Sequence, residues 1–259
     1  SMTVDEFGKV IDIFGDGFEF NSVQLQGLRA VKREDELVHM RKAAQIADEA
    51  FAVLLENIKV GMTENEARII LETEMLKRGS DEPSFATIVA SGHLSSMPHG
   101  VASDKVIEKG DFVTFDFGAV WKGYHSDMTR TICMGPASDE QKKLYEIVLN
   151  AQKKGVSAVR AGLLGVELDT ICRDSIENDG YGAYFNHGLG HGVGLDIHEQ
   201  PVASPRSESV LETNMIITVE PGVYLPGKIG LRIEDSVIVT DDACEVLTHS
   251  PKELIEIEV

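Results

Sequence analysis

The chain has 259 residues and a mass of 28.3 kDa, with 42% hydrophobic and 26% charged residues. That is enough for one large domain or two small ones of ordinary globular composition. A net charge of −19 argues against a protein that tracks nucleic-acid phosphates, which needs clustered Lys and Arg. No apolar run approaches the ~18 residues of a membrane span and no basic-then-apolar signal peptide opens the chain. Cys133, Cys172 and Cys244 give neither a disulfide framework nor zinc spacing, and fit a reducing cytoplasm.

In chain order, Ser1–Met2 reads as a cloning remnant, and residues 1–27 as a short helix or strand and a linker, the remnant of an upstream domain. From Arg33 a stripe of Leu37, Met40, Ala44, Ala47, Phe51, Leu54 and Ile58 predicts an amphipathic helix ending near Gly61. Thr63 and Glu66 form a capping-box pattern that opens a second helix through Ile69, Ile70, Thr73 and Leu76 to Gly79. A β-rich stretch follows, FATIVASG and then GDFVTFDFGAVWKGYHSDMTRTICMG. The order then recurs. A capping box at Ser138 and Gln141 opens a helix through Leu144, Ile147, Ala151 and Val159, another runs through Leu168, Ile171 and Ile176 to Gly180, and β-rich segments close the chain.

Self-comparison supports a repeat. At an offset of 101, Gly61, Glu66, Ile70 and Gly79 match Gly162, Glu167, Ile171 and Gly180. At 104, Asp116 falls on Glu220, and at 107 Asp127 falls on Glu234. Two α+β halves related by a pseudo-twofold axis are expected, each presenting two carboxylates from a hairpin.

Asp116 sits between Phe115 and Phe117, where an acid is costly to bury unless paired or metal-bound. Asp116 and Asp127 are symmetric about Trp121–Lys122, and Glu220 and Glu234 about Gly227, so each pair is expected to lie opposite, or nearly so, across a hairpin. Four carboxylates in one apolar pocket repel unless protonated or neutralised, and two divalent cations cancel four charges. His187, His191 and His198 fall in the glycine-rich NHGLGHGVGLDIHEQP, and His99 in SMPHG could come from the opposite wall. His39, His93, His125 and His249 have no comparable support and read as structural or surface residues.

At these residues the sequence resembles the catalytic domain of the Xaa-Pro peptidases, prolidase and aminopeptidase P, of peptidase family M24. The matching segments are IVASG…SMPHG, DFVTFDFGAVWKGYHSDMTRT, NHGLGHGVGLDIHEQP, ITVEPGVY and GLRIEDSVIVT, and the likeness runs from about Leu28 to Val259. The resemblance implies an α+β pita-bread (creatinase/aminopeptidase) fold, two pseudo-symmetric halves with a curved antiparallel sheet covered by helices, over residues 28–259. It implies that Asp116, Asp127, His191, Glu220 and Glu234 hold two divalent ions, with Asp127 and Glu234 bridging, Asp116 completing one site, and His191 and Glu220 the other. This complete set argues against the metal-free relatives of the fold such as creatinase. His99, His187, His198, Tyr224 and Arg232 fall on positions lining the substrate site, and Arg232, two residues before Glu234, is expected to anchor a bridging carboxylate.

The oxygen-rich donor set suits Mn²⁺, with Co²⁺ or Zn²⁺ possible. The implied reaction is hydrolysis of the bond between an N-terminal residue and proline by a metal-bridging hydroxide, with Glu220 shuttling the proton and His99 and His198 stabilising the reacting carbonyl. Short proline-containing peptides are the expected partners, with no nucleic acid or membrane, in a cytoplasmic protein whose full-length form could be a homodimer. The nearest alternative is methionine aminopeptidase activity; another is a catalytically weak, peptidase-like binding module. Arg206 is a candidate cation for a dipeptide's carboxylate, although a solvated loop arginine is the plainer reading.

Overall fold

Capping chemistry sets where the helices begin. In the computed structural model, which describes residues 3–15 and 26–259, the hydroxyls of Thr3, Thr63 and Ser138 accept from the backbone N–H three residues on, while Glu6, Glu66 and Gln141 reach back to the cap. Donors that a helix start leaves unpaired are thereby satisfied. The helices are α1 (Val4–Phe14), α2 (Gln26–Ala30), α3 (Glu34–Asn57), α4 (Glu64–Lys77), α5 (Asp139–Ala158) and α6 (Gly165–Asn178). Within the expected linker the structure places α1 and the start of α2; residues 1–2 and 16–25 lie outside the described residues.

The strands are β1 (Ile88–Ser91), β2 (Phe112–Phe117), β3 (Val120–Trp121), β4 (Tyr124–His125) and β5 (Met128–Met134) in the first half. Then come β6 (Gly190–Gly192), β7 (Glu199–Ala203), β8 (Ile216–Val219), β9 (Gly222–Leu225), β10 (Ile229–Arg232), β11 (Asp235–Val239), β12 (Cys244–Val246) and β13 (Ile255–Ile257). One sheet has the order β1-β2-β5-β13, another β12-β11-β8, and β3-β4, β6-β7 and β9-β10 are hairpins. All pairings are antiparallel except β13 with β5.

The α3 stripe is buried as expected, with Ile58 as its C-cap. On α4 the buried face is instead Ala67, Leu71 and Met75, a run of four-residue steps, and Ile69 and Leu76 are exposed. The apolar content was right there and the phase was not. α3 and α4 pack on one core containing Phe51, Leu71, Val113, Phe115 and Phe117. α5 and α6 pack on another containing Val148, Leu168, Ile217, Val219, Leu231 and Ile233. Because side chains alternate along a strand, Thr114 and Asp116, Thr218, and Arg232 point away from the helices.

Register decides how the acids meet. Val120 pairs with His125 and Asp116 with Thr129, so the first hairpin turns about Lys122–Gly123, one residue beyond the expected centre. Both turn residues have positive φ, 52° and 78°, as a tight primed turn requires. Asp127 therefore does not face Asp116 directly; it stands two residues from Thr129, the partner of Asp116, and shares its face. The second hairpin is centred on Gly227, as expected, with Leu225 opposite Ile229. On its far side Val219 pairs with Asp235, which puts Glu220 and Glu234 opposite each other where the ladder is interrupted.

The halves are joined by polar contacts behind these acids. Glu234 N–H donates to Thr129 O at 3.1 Å, Ser236 Oγ to Asp127 O at 2.8 Å and Thr131 Oγ1 to Arg232 O at 3.0 Å. Fully buried Arg130 donates to Asp235 Oδ1 at 2.8 Å and to the carbonyls of Ser250, Thr129 and Glu234. Asp235 also accepts from Thr248, Gln152 and Lys252. Removing one partner from such a cluster strands a buried charge. Asp235→Ala should therefore cost about 3–5 kcal/mol, read as a lower urea midpoint; a midpoint unchanged from wild type would contradict this role.

Candidate metal centre

One cavity of about 320 Å³ gathers the acids. Its walls include Asp116, Asp127, Glu220 and Glu234, the histidines His99, His187, His191 and His198, and Arg232, with Phe85, Ile88 and Ile197 as apolar wall. Nine of the ten residues expected at the site thus line one space. Tyr224 is buried behind them and joins the site through its hydroxyl: Arg232 Nη1 donates to it at 2.6 Å, and it lies 3.1 Å from His187 Nε2. Arg206 is exposed and lines a different groove. Of the histidines read as structural, none lines the cavity; His125 Nδ1 contacts Ser84 Oγ at 2.9 Å and His39 packs beside Tyr124.

Local sequence explains the placement of His191. A Cβ on Gly190 would come within 2.0 Å of Thr218 O, so only glycine lets β6 run this close to β8. The His191 backbone N–H then donates to Thr218 Oγ1 at 3.0 Å. His191 Nδ1 lies 3.1 Å from the Gly192 carbonyl, which can only accept, so the network assigns the proton to Nδ1. Nε2 is left as a lone pair, 3.5 Å from Asp127 Oδ2 and 3.6 Å from Glu220 Oε1. Burial pushes the imidazole down to about 4, so it is neutral near pH 7. A lone pair aimed at two carboxylates is repulsive unless a proton or a metal cation lies between them.

The acids make the same demand. Asp116 Oδ1, Asp127 Oδ1 and Glu234 Oε1 are buried without a hydrogen-bond partner, a costly state for a carboxylate oxygen. Burial first, then the neighbouring carboxylates, push Asp127 and Glu220 well above the ordinary range and Glu234 up to about 8. Asp127, His191 and Glu234 each offer one ligand atom within 4.8 Å of the others. Carboxylate and imidazole donors of this kind suit hard-to-borderline divalent ions, and the residues present fit such a group.

Arg232 sits differently from the expectation. Its Nη2 donates to Asp116 Oδ2 at 2.6 Å and its Nε to Thr129 Oγ1 at 3.0 Å. Thr129 Oγ1 in turn donates to Glu234 Oε2 at 2.6 Å. The near ionic partner is Asp116, Glu220 Oε2 stands 3.8 Å from Nε, and Glu234 is reached through Thr129. Sequence reasoning missed Thr129, although it lies two residues beyond Asp127 on the same strand face. It also missed Asp169 and Arg173 on α6. Asp169 accepts the Leu189 N–H at 3.0 Å, and Arg173 donates to the carbonyls of Phe185 and His187 at 2.8 Å, fixing the loop that carries His187. No motif in the sequence marks that clamp.

These shifts set a pH dependence for the metal-free protein. Glu234, held protonated up to about 8 against an ordinary 4.5, contributes stability that is full below the unfolded value and lost as pH rises through the folded one. His187 and His191, lowered from 6.5 to about 4, act in the opposite sense, losing stability as pH falls below 6.5. Between pH 6.5 and 8 the opposing histidine contribution fades and the carboxylates dominate, so the thermal midpoint in EDTA should fall as pH rises. Saturating Mn²⁺ should raise the midpoint and flatten this decline. Scanning fluorimetry across that window checks it, and a midpoint in EDTA that rises from pH 6.5 to 8 would contradict it.

A family model for metallopeptidase family M24 matches residues 38–241. The uncharacterized peptidase YqhT of Bacillus subtilis is 48% identical over 231 residues, covering 89% of this chain and 65% of that protein. The structure of an Xaa-Pro dipeptidase from Bacillus anthracis superposes with a TM-score of 0.96 at 50% identity, covering 98% of this chain and 72% of that one. The structure of an X-Pro aminopeptidase from Thermotoga maritima gives 0.95 at 41% identity, covering 99% and 72%. The chain therefore spans about two thirds of the length of such relatives, and the fold is the pita-bread arrangement of two similar α+β halves. By sequence and by structure, the chain belongs to metallopeptidase family M24.

Proposed function

We propose that residues 28–259 form the catalytic domain of an Xaa-Pro peptidase that uses two divalent cations, Mn²⁺ first among them, to hydrolyse the bond before proline in short peptides. The observation that carries this reading is the bare His191 Nε2 beside Asp127 Oδ2 and Glu220 Oε1, in a cavity where Asp116 Oδ1, Asp127 Oδ1 and Glu234 Oε1 are buried without a hydrogen-bond partner. Asp116, Asp127, His191, Glu220 and Glu234 would hold the ions. When bound, such ions lower the pKa of water toward ~7 and polarise a carbonyl.

The chain's own groups do the rest. Glu220, on the cavity wall, accepts a proton from the attacking water and delivers it to the prolyl nitrogen as that bond breaks. His198 and His99, both exposed at the cavity, hydrogen-bond the carbonyl oxygen as it gains charge. His187 and Arg232, joined through the Tyr224 hydroxyl behind them, form the wall against which the substrate is oriented. The prolyl nitrogen carries no N–H before cleavage, so recognition rests on the ring and the carbonyl. Free buried cysteines at 133 and 172 suit the cytoplasm. Among the described residues no helix is long and apolar enough to cross a membrane.

Named relatives divide between dipeptidase and aminopeptidase. The decisive assay compares Xaa-Pro dipeptides, Xaa-Pro tripeptides and Met-Ala-Xaa peptides with Mn²⁺ and with EDTA. Turnover of an Xaa-Pro substrate that EDTA abolishes is expected, whereas turnover of the methionyl peptide alone would establish the methionine aminopeptidase alternative. Glu220→Gln, saturated with Mn²⁺, should lose roughly 10²–10⁴-fold in kcat; full turnover with both ions bound would remove the proton-transfer role.

A further inference from the structure

We infer that Lys32, in the segment between α2 and α3, is a positioning residue for His191 and His198, acting through the carboxylate of Glu199. This rests on the functional reading above, in which His191 holds a cation and His198 faces the substrate. Lys32 is 2% exposed. Its Nζ donates to Glu199 Oε1 at 2.7 Å and to Ala30 O at 3.1 Å. Arg29 Nη2 donates to Glu199 Oε2 at 2.8 Å, while its Nη1 meets Asp196 at 2.8 Å. Both glutamate oxygens are thus held by cations from outside the hairpin, 167 and 170 residues away in sequence.

Glu199 is placed to transmit that grip. It opens β7, directly follows His198, and pairs across the hairpin with Gly192, at the bulge that immediately follows His191. Its carboxylate lies inside the connecting loop: a Cβ on Gly194 would come within 2.4 Å of Glu199 Oε1. The Gly192 carbonyl is also the partner of His191 Nδ1, so the residue that pairs with Glu199 at the bulge also orients the imidazole. The rings of His191 and His198 meet edge to face with centroids 4.3 Å apart. A buried ion pair is seldom the most stable filling for its volume. What it supplies is a fixed location for a carboxylate, and here that location sets two rings.

The test uses Lys32→Met. In the metal-free protein the imidazole ¹⁵N signals of His191 and His198 should move while those of His249 and His93 stay, and Co²⁺ affinity should fall about 10–100-fold, the usual effect of removing a group that orients a ligand. Xaa-Pro turnover should fall in kcat more than in KM. If Lys32→Met does not fold, the double variant Lys32→Met with Glu199→Gln, which leaves no unpaired charge, carries the same expectations. Unmoved His191 and His198 signals, or an unchanged Co²⁺ affinity in a folded variant, overturn the proposal. A wild-type protein that binds Co²⁺ but cleaves no Xaa-Pro peptide defeats the peptidase reading, while the imidazole and affinity measurements still decide the role of Lys32.

Discussion

Confining four carboxylates in one small cavity is the constraint from which most of the architecture follows. Two like charges 4 Å apart repel by roughly 4 kcal/mol at an effective dielectric of 20, and Asp116, Asp127, Glu220 and Glu234 share one space. Loops would relieve such repulsion by moving apart. These acids instead stand on or beside strands whose opposite faces are locked into two separate hydrophobic cores. Each pair of helices keeps one half's strands in place, and the polar ties between β5 and the β10–β11 segment keep the halves in register. Rigidity here works against the preference of the metal-free site, in which the acids hold protons and leave oxygens unpaired.

Much of this was legible in the sequence because the repeat constrains it twice. The matching offsets placed two acids in each half, and the symmetry of Glu220 and Glu234 about Gly227 corresponds to the observed pairing on both sides of the break. The first hairpin was displaced by one residue because a two-residue turn needing positive φ can sit at Lys122–Gly123, and symmetry about the acids does not see turn chemistry. Asp127 still reached the correct face, since a two-residue stagger preserves alternation. On α4 the neighbouring Ile69 and Ile70 drew the stripe to the wrong phase, whereas the smaller Ala67 marks the packed side.

What the sequence could not show is how the site is held from outside. Lys32 and Glu199 are far apart in the chain and neither belongs to a pattern, and an ion pair of that kind is visible only once the fold has brought them to 2.7 Å. The same is true of Asp169 and Arg173, whose helical spacing alone reads as an ordinary surface pair. Motif reasoning finds groups that do chemistry because chemistry restricts residue type. It misses groups that fix geometry, because many residue types could do so and the fold selects one.

Arg232 shows why ligands and substrate wall cannot be treated as separate parts. One guanidinium contacts Asp116 and Thr129 on the side proposed to hold metal, Tyr224 on the side proposed to meet substrate, and the carbonyl of Pro98 next to His99. A lysine could neutralise one carboxylate, but its point charge could not fix four acceptors on three strands and a loop in a plane. Any cation that draws Asp116 toward itself must therefore compete with, or share the carboxylate with, Arg232. Through Tyr224 that competition reaches His187, and through Pro98 it reaches the backbone beside His99. Under the proposed function, loading the acids is in this way tied to the shape of the wall that would meet the peptide, by hydrogen bonds that already exist before either arrives.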